Sequence, residues 1–182
     1  PLVNELRAPL GSMGNDAALA CLSDKPRLLF DYFKQLFAQV TNPSIDSIRE
    51  EVVMSLECLI GPEGNLLENN PENARRLRVQ NPILSNKELR AIRNISNANW
   101  KTKTIDLSYL KKDGLAAMKN RLDEVCKEAE AAIHAEYSFI ILSDKNTSQS
   151  HMSLSSLLAC SSIHHYLIER QLRSKIGIVI ET

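Results

Sequence analysis

Several short stretches of this chain carry residue types that could do chemistry. Gly11-Ser12-Met13-Gly14-Asn15-Asp16 combines two glycines, which let backbone approach a ligand closely, with the soft apolar side chain of Met13 and the amide of Asn15. Gln39-Val40-Thr41-Asn42-Pro43 offers a hydroxyl and two amides ahead of a proline. Read from residue types alone, each is a candidate binding loop. Asp144 and Lys145 follow the apolar run Phe139-Ile140-Ile141-Leu142, so they fall at the C-terminal end of an expected strand. That is where α/β folds place ligand-binding groups.

Other stretches invite sharper chemistry and do not support it. His151, His164 and His165 suggest a metal, but neighbours on a helix point about 100° apart and a zinc site needs several converging ligands, so surface or packing histidines are expected. Cys21, Cys58, Cys126 and Cys160 are widely spaced without a C-x-x-C pair and read as reduced thiols packed as small apolar groups. Gly61-Pro62-Glu63-Gly64 has no Lys-Ser or Lys-Thr after it and no strand expected before it, so it reads as a turn and not a phosphate cradle. Arg75, Arg76 and Arg78, with Arg90 and Arg93 beyond, lack interleaved aromatic residues and follow Glu68 and Glu72, which makes them a solvated or interdomain face.

The elements that must position these residues differ between the two halves. In the first, Ala8–Cys21 has loop composition. Asp24 and Pro26 mark a helix start, with Leu29, Tyr32, Phe33, Leu36 and Phe37 on one apolar face, ending before Pro43. A second helix is expected from about Asp46, burying Ile48, Val52, Val53 and Leu56 and breaking at Gly61. The polar stretch from there to about Gln80 reads as a surface connection. Ser85 and Glu88 form a capping-box pattern for a short helix through Leu89 and Ile92.

The second half is regular. A short strand at Ile105–Leu107 precedes a long helix from about Asp113, with Leu115, Met118, Leu122, Val125, Ala129 and Ile133 on one side. A strand at Phe139–Leu142, a helix over Leu154–Leu172 and a strand at Ile178–Ile180 complete β-α-β-α-β. Unbroken apolar runs joined by crossover helices predict parallel strands buried on both faces. The expected fold class is α/β: residues 1–182 form one domain, mainly helix and loop over 1–100 and βαβαβ over 101–182, as an incomplete parallel barrel-like or layered sheet.

Composition bounds the partners. Lys plus Arg equals Asp plus Glu at 22 each, so no net field draws a phosphate backbone and nucleic acid is not an expected partner. The longest apolar runs fall far short of the roughly 20 residues a membrane span needs. Pro1–Arg7 has neither an initiator Met nor the pattern of a signal peptide, and the Ile176–Glu181 strand runs up to Thr182 without a closing turn. Both ends are expected to be cuts in a longer chain.

The two glycine- and amide-bearing stretches lie within a longer pattern. Leu10-Gly11-Ser12-Met13-Gly14-Asn15-Asp16, Tyr32 through Pro43, Ile48-Arg49-Glu50-Glu51, Met54-Ser55-Leu56-Glu57 and Gly61-Pro62-Glu63-Gly64-Asn65-Leu66 together resemble the central domain of glutamate synthases in order and spacing. The similarity extends to Ile141-Leu142-Ser143-Asp144 and the His164-His165 helix. Departures fall at Ser44 and Ser47, where the family commonly has proline, and at Tyr137, where it has glycine.

The resemblance implies a linking domain, inert alone, between a glutamine amidotransferase domain and a flavin-containing synthase barrel of the same polypeptide. The whole enzyme would convert glutamine, 2-oxoglutarate and two electrons to two glutamates. No cofactor is expected in this piece. FMN and a 3Fe-4S cluster would serve the synthase half, with ferredoxin or a pyridine-nucleotide-linked small subunit as electron source. Ser12, Met13, Gly14, Asn15, Gln39, Thr41 and Asn42 are the expected lining of an ammonia route, Met13 excluding water while Asn15 and Thr41 offer hydrogen bonds to a neutral amine. The alternative is a scaffold that only holds its neighbours in register. A ferredoxin-dependent enzyme of the plastid stroma or bacterial cytoplasm is the expected setting.

Overall fold

The computed structural model describes residues 19–33, 55–65, 67–97 and 100–182. The chain divides into two compact units, Pro1–Ser55 and Leu56–Thr182. The expected loop lining at Ser12, Met13, Gly14, Asn15, Gln39, Thr41 and Asn42 lies outside the described residues, as do residues 46–54 of the helix expected from Asp46 to Gly61; Leu56, expected to be buried in that helix, is non-helical and 60% exposed.

In the first unit, Ala20–Leu22 and Leu29–Phe33 are short 3-10 turns. The helix expected to begin at Asp24 has not begun there, because Ser23 Oγ accepts the Lys25 amide at 3.2 Å and Arg27 Nε at 3.3 Å. Such a local side-chain bond competes with the first helical turn, and Pro26 biases Lys25 away from helical dihedrals.

The second unit is built on strand β3 (Thr102–Asp106), strand β5 (Phe139–Ser143) and strand β7 (Gly177–Glu181), parallel in the order β3-β5-β7. They are joined by helix α2 (Gly114–His134) and helix α3 (Ser156–Glu169). This is the βαβαβ layer the sequence predicts. Among the described residues the sheet is open, not a closed barrel. Every residue of β5 is buried, as its unbroken apolar run requires of a central strand covered on both faces. Helices α2 and α3 pack on each other and on one face, where Ile105, Ile140, Leu142, Val125, Ala129, Ile163 and Leu167 form the larger core. Leu115, expected on the apolar side of α2, is 74% exposed in its first turn.

The opposite face carries Ile141 and Val179, covered by helix α1 (Asn86–Arg93) and by strands β1 (Cys58–Ile60) and β2 (Leu77–Val79), which pair antiparallel. Neither strand was legible: β1 lies where the second helix was expected to end, and β2 lies in the supposed surface connection. Each has only three residues, too few to show a period. Helix α1 starts where the capping box places it, with Ser85 Oγ accepting the Glu88 amide at 3.3 Å and Glu88 Oε2 accepting the Ser85 amide at 2.7 Å. A further antiparallel pair, β4 (Ser108–Leu110) with β6 (His151–Ser153), was also missed.

Both crossover helices end in the same way. After α2, Tyr137 donates to Ala132 O and Glu136 to Ile133 O; after α3, Leu172 donates to Leu167 O and Gln171 to Ile168 O, all within 3.0 Å. These are Schellman closures, and their left-handed positions are held by Glu136 (φ 59°) and Gln171 (φ 58°) in place of glycine. The unusual cap residue after α2 is therefore Glu136, one position before Tyr137.

Candidate functional site

Parallel register lines up the last residues of the three strands: Asp106 lies beside Ser143, and Ser143 beside Glu181. Ser143 and Glu181 each close an apolar run, and Asp106 follows Ile105 in a mixed strand, so the sheet ends in a polar row. Asp106 Oδ2 accepts from Asn146 Nδ2 at 2.8 Å and Oδ1 from the Ser108 amide at 2.9 Å. Burial pushes the Asp106 carboxyl up, but these hydrogen bonds and the Arg121 charge outweigh it and hold the group below its ordinary value.

Glu181 is the centre of the row. It is 7% exposed, and its Oε2 accepts from Arg93 Nη2 at 2.6 Å and from Ser143 Oγ at 2.6 Å. Lys145 Nζ lies 2.6 Å from Oε1, close enough for an ion pair although off the direction of a well-formed hydrogen bond. Burial alone would raise the Glu181 carboxyl. The contacts from Arg93, Lys145 and Ser143, with the Arg93 charge, override it and bring it from 4.5 to about 2. The group is an anion at neutral pH.

Of the two residues the sequence singles out here, Lys145 joins this cluster. Asp144 does not: its Oδ2 accepts from Thr182 Oγ1 at 2.5 Å and its carbonyl accepts from Thr147 Oγ1 at 2.6 Å. Glu181, Ser143 and Arg93 were missed as a constellation. The available signal, for Ser143 and Glu181 alone, was the polar residue closing the apolar runs of β5 and β7. A cavity of about 380 Å³ opens beside the cluster, lined by Asn86, Leu89, Arg90, Arg93, Lys145 and Glu181.

A second cavity of about 620 Å³ lies at the other end of β7, with Gly61, Arg76, His164 and Arg173 in its wall. Arg173 Nε donates to His164 Nδ1 at 3.0 Å, which leaves the His164 proton on Nε2, and Arg76 pairs with Glu63. Burial, the Arg173 charge and the adjacent His165 all lower the His164 pKa below its usual value. The His164 and His165 rings meet edge-on, with centroids 5.3 Å apart, and His151 Nδ1 sits between Ser148 and Ser150 hydroxyls. Gly61 (φ 126°) packs against Gly177 and Phe139, as a turn in close backbone approach requires.

No three His, Cys, Asp or Glu side chains among the described residues gather as a metal site. Burial pushes the Cys126 and Cys160 thiols up, with Asp123 adding to the rise at Cys126. No helix among the described residues is long and apolar enough to cross a membrane.

The family model for the glutamate synthase central domain matches residues 1–182. The chain is 50% identical over 184 residues to glutamate synthase [NADH] of Schizosaccharomyces pombe, covering 100% of this chain and 9% of that protein. It is 42% identical over 182 residues to the glutamate synthase [NADPH] large chain of Bacillus subtilis, covering 100% and 12%. It is 39% identical over 184 residues to the chloroplastic ferredoxin-dependent glutamate synthase of Oryza sativa, covering 100% and 11%. The chain thus spans about a tenth of the length of these relatives. Matched from its first residue to its last, the chain belongs to the glutamate synthase central domain family.

Proposed function

We propose that this chain works as the joining segment of a glutamate synthase, between the part that releases ammonia from glutamine and the part that adds it to 2-oxoglutarate. The observation that carries this reading is the family match over all 182 residues, in a chain that spans only 9% to 12% of its named relatives. Glutamate biosynthesis is the process it serves. The neighbouring amidotransferase and flavin domains, FMN, the 3Fe-4S cluster and the electron donor belong to the rest of the enzyme. Identity is higher to the NADH-named relative than to the ferredoxin-named one, so a pyridine nucleotide is the donor to test first and ferredoxin the second. The chloroplastic name of the rice relative supports a plastid setting and the Bacillus relative a bacterial one.

Within that role, Ser12, Met13, Gly14, Asn15, Gln39, Thr41 and Asn42 line the ammonia route, with small and amide-bearing residues where a neutral amine must pass and Met13 excluding water. The test is a chimera in which this chain replaces the aligned segment of the Schizosaccharomyces pombe enzyme. Retained glutamine-dependent glutamate formation supports the reading. A chimera that folds and hydrolyses glutamine but makes no glutamate from it overturns the view that this segment is interchangeable within the family.

A further inference from the structure

The site at the C-terminal end of the sheet has more cationic groups than its own carboxylate needs. Arg90 and Arg93 stand three residues apart on α1, so they share a face, and both line the 380 Å³ cavity with Lys145 and Glu181. Three cations against one carboxylate leave its wall with two positive charges. Glu181 is committed to Arg93, Ser143 and Lys145 at 2.6 Å each. Arg90 has no carboxylate partner among the described residues. Its Nε instead donates to the Asn86 carbonyl at 3.1 Å, one turn back on its own helix.

We propose that this cavity is a binding site for a small ligand carrying an oxyanion, a carboxylate or phosphate group, held by Arg90, Arg93 and Lys145. Glu181 is the positioning residue. Burying this carboxylate costs desolvation, which the contacts to Arg93, Lys145 and Ser143 outweigh. Its effect is to fix two long, flexible cations from α1 and from the β5 end at one place, so that little side-chain entropy remains to be lost on binding. Arg90 supplies planar N–H donors that suit an oxyanion, while its tether to Asn86 limits its rotamers. Leu89 gives the wall an apolar side, and the cavity volume sits at the small end of ligand sites, which selects a compact molecule over a nucleotide. The site lies outside the carboxyl ends of parallel strands, where such crevices form in open α/β sheets. It is independent of the ammonia-route reading, since none of its residues falls in 12–42.

The experiment is a nitrogen-15 NMR titration of the 182-residue chain with inorganic phosphate and, separately, with succinate, at constant ionic strength set by sodium chloride. The expected result is saturable shifts of the Arg90 and Arg93 Nε–H signals and of the Lys145 amide. Saturation by phosphate alone assigns a phosphate ligand, and by succinate alone a carboxylate. Arg90→Gln changes an exposed residue, keeps the dispersion of the spectrum and weakens binding at least about tenfold, whereas Arg90→Lys retains part of it. The proposal is overturned if neither anion gives saturable shifts at these residues, if chloride reproduces them, or if Arg90→Gln binds as tightly as the parent. A Glu181→Gln chain that stays folded and binds unchanged overturns the positioning role.

Discussion

Arg93 Nη2 and Glu181 Oε2 lie 2.6 Å apart across 88 positions of sequence. The contact joins α1 to the end of β7 and makes the charge state of one buried carboxyl a property of the whole second unit.

Because the folded Glu181 carboxyl titrates at about 2 and an unperturbed one at 4.5, its contribution is present in full above pH 4.5 and is lost as pH falls toward 2. That gap corresponds to about 3 kcal/mol at 1.36 kcal/mol per pH unit. Urea unfolding between pH 7 and 2 should show this loss in the parent chain. Glu181→Gln should be less stable by a similar amount at pH 7, with a flatter dependence below 4.5.

A methyl group on Gly177 would sit 2.9 Å from Gly61 N and 3.1 Å from Phe139 Cδ1, and the Gly61 backbone has little room to yield. Gly177→Ala should cost roughly 1–3 kcal/mol. Gly61→Ala meets Phe139 at an ordinary 3.4 Å but is strained by its φ of 126°. Since the two sites touch, their costs should not add. Urea midpoints of the two single variants and the double variant check this.

Glu136→Gly relieves a left-handed side chain in the Schellman closure of α2 and should raise stability by roughly 0.5–1 kcal/mol, read as a higher urea midpoint. An unchanged or lower midpoint would show that the Glu136 side chain stabilises the closure.

His164 should titrate below the usual histidine range by proton NMR. Arg173→Gln removes both the charge and the donor to Nδ1, so the pKa should rise toward 6.5. No change would place the effect in burial and the adjacent His165.

The parallel layer was legible because a buried strand writes a continuous apolar run and a crossover helix a 3.6-residue period, and Phe139–Ser143 and Gly114–His134 show both. Strands β1, β2, β4 and β6 were not legible, because their three-residue lengths show no period and they exist only through pairing. Lys145 was found from its place after a strand. Glu181 could not be recognised as its partner because the pairing depends on sheet register and on α1 crossing above it. The left-handed caps at Glu136 and Gln171 were not legible either, because neither residue type advertises such a conformation.

The joining role is tested most directly by the ratio of glutamate formed from 2-oxoglutarate to glutamine hydrolysed, in the full-length enzyme carrying Thr41→Trp. The predicted result is continued glutamine hydrolysis with less glutamate formed and ammonia released to solvent. Two half-reactions that stay fast and stoichiometric would contradict the channel. So would a loss of stability or domain association with the ratio unchanged, which is the result expected of a scaffold.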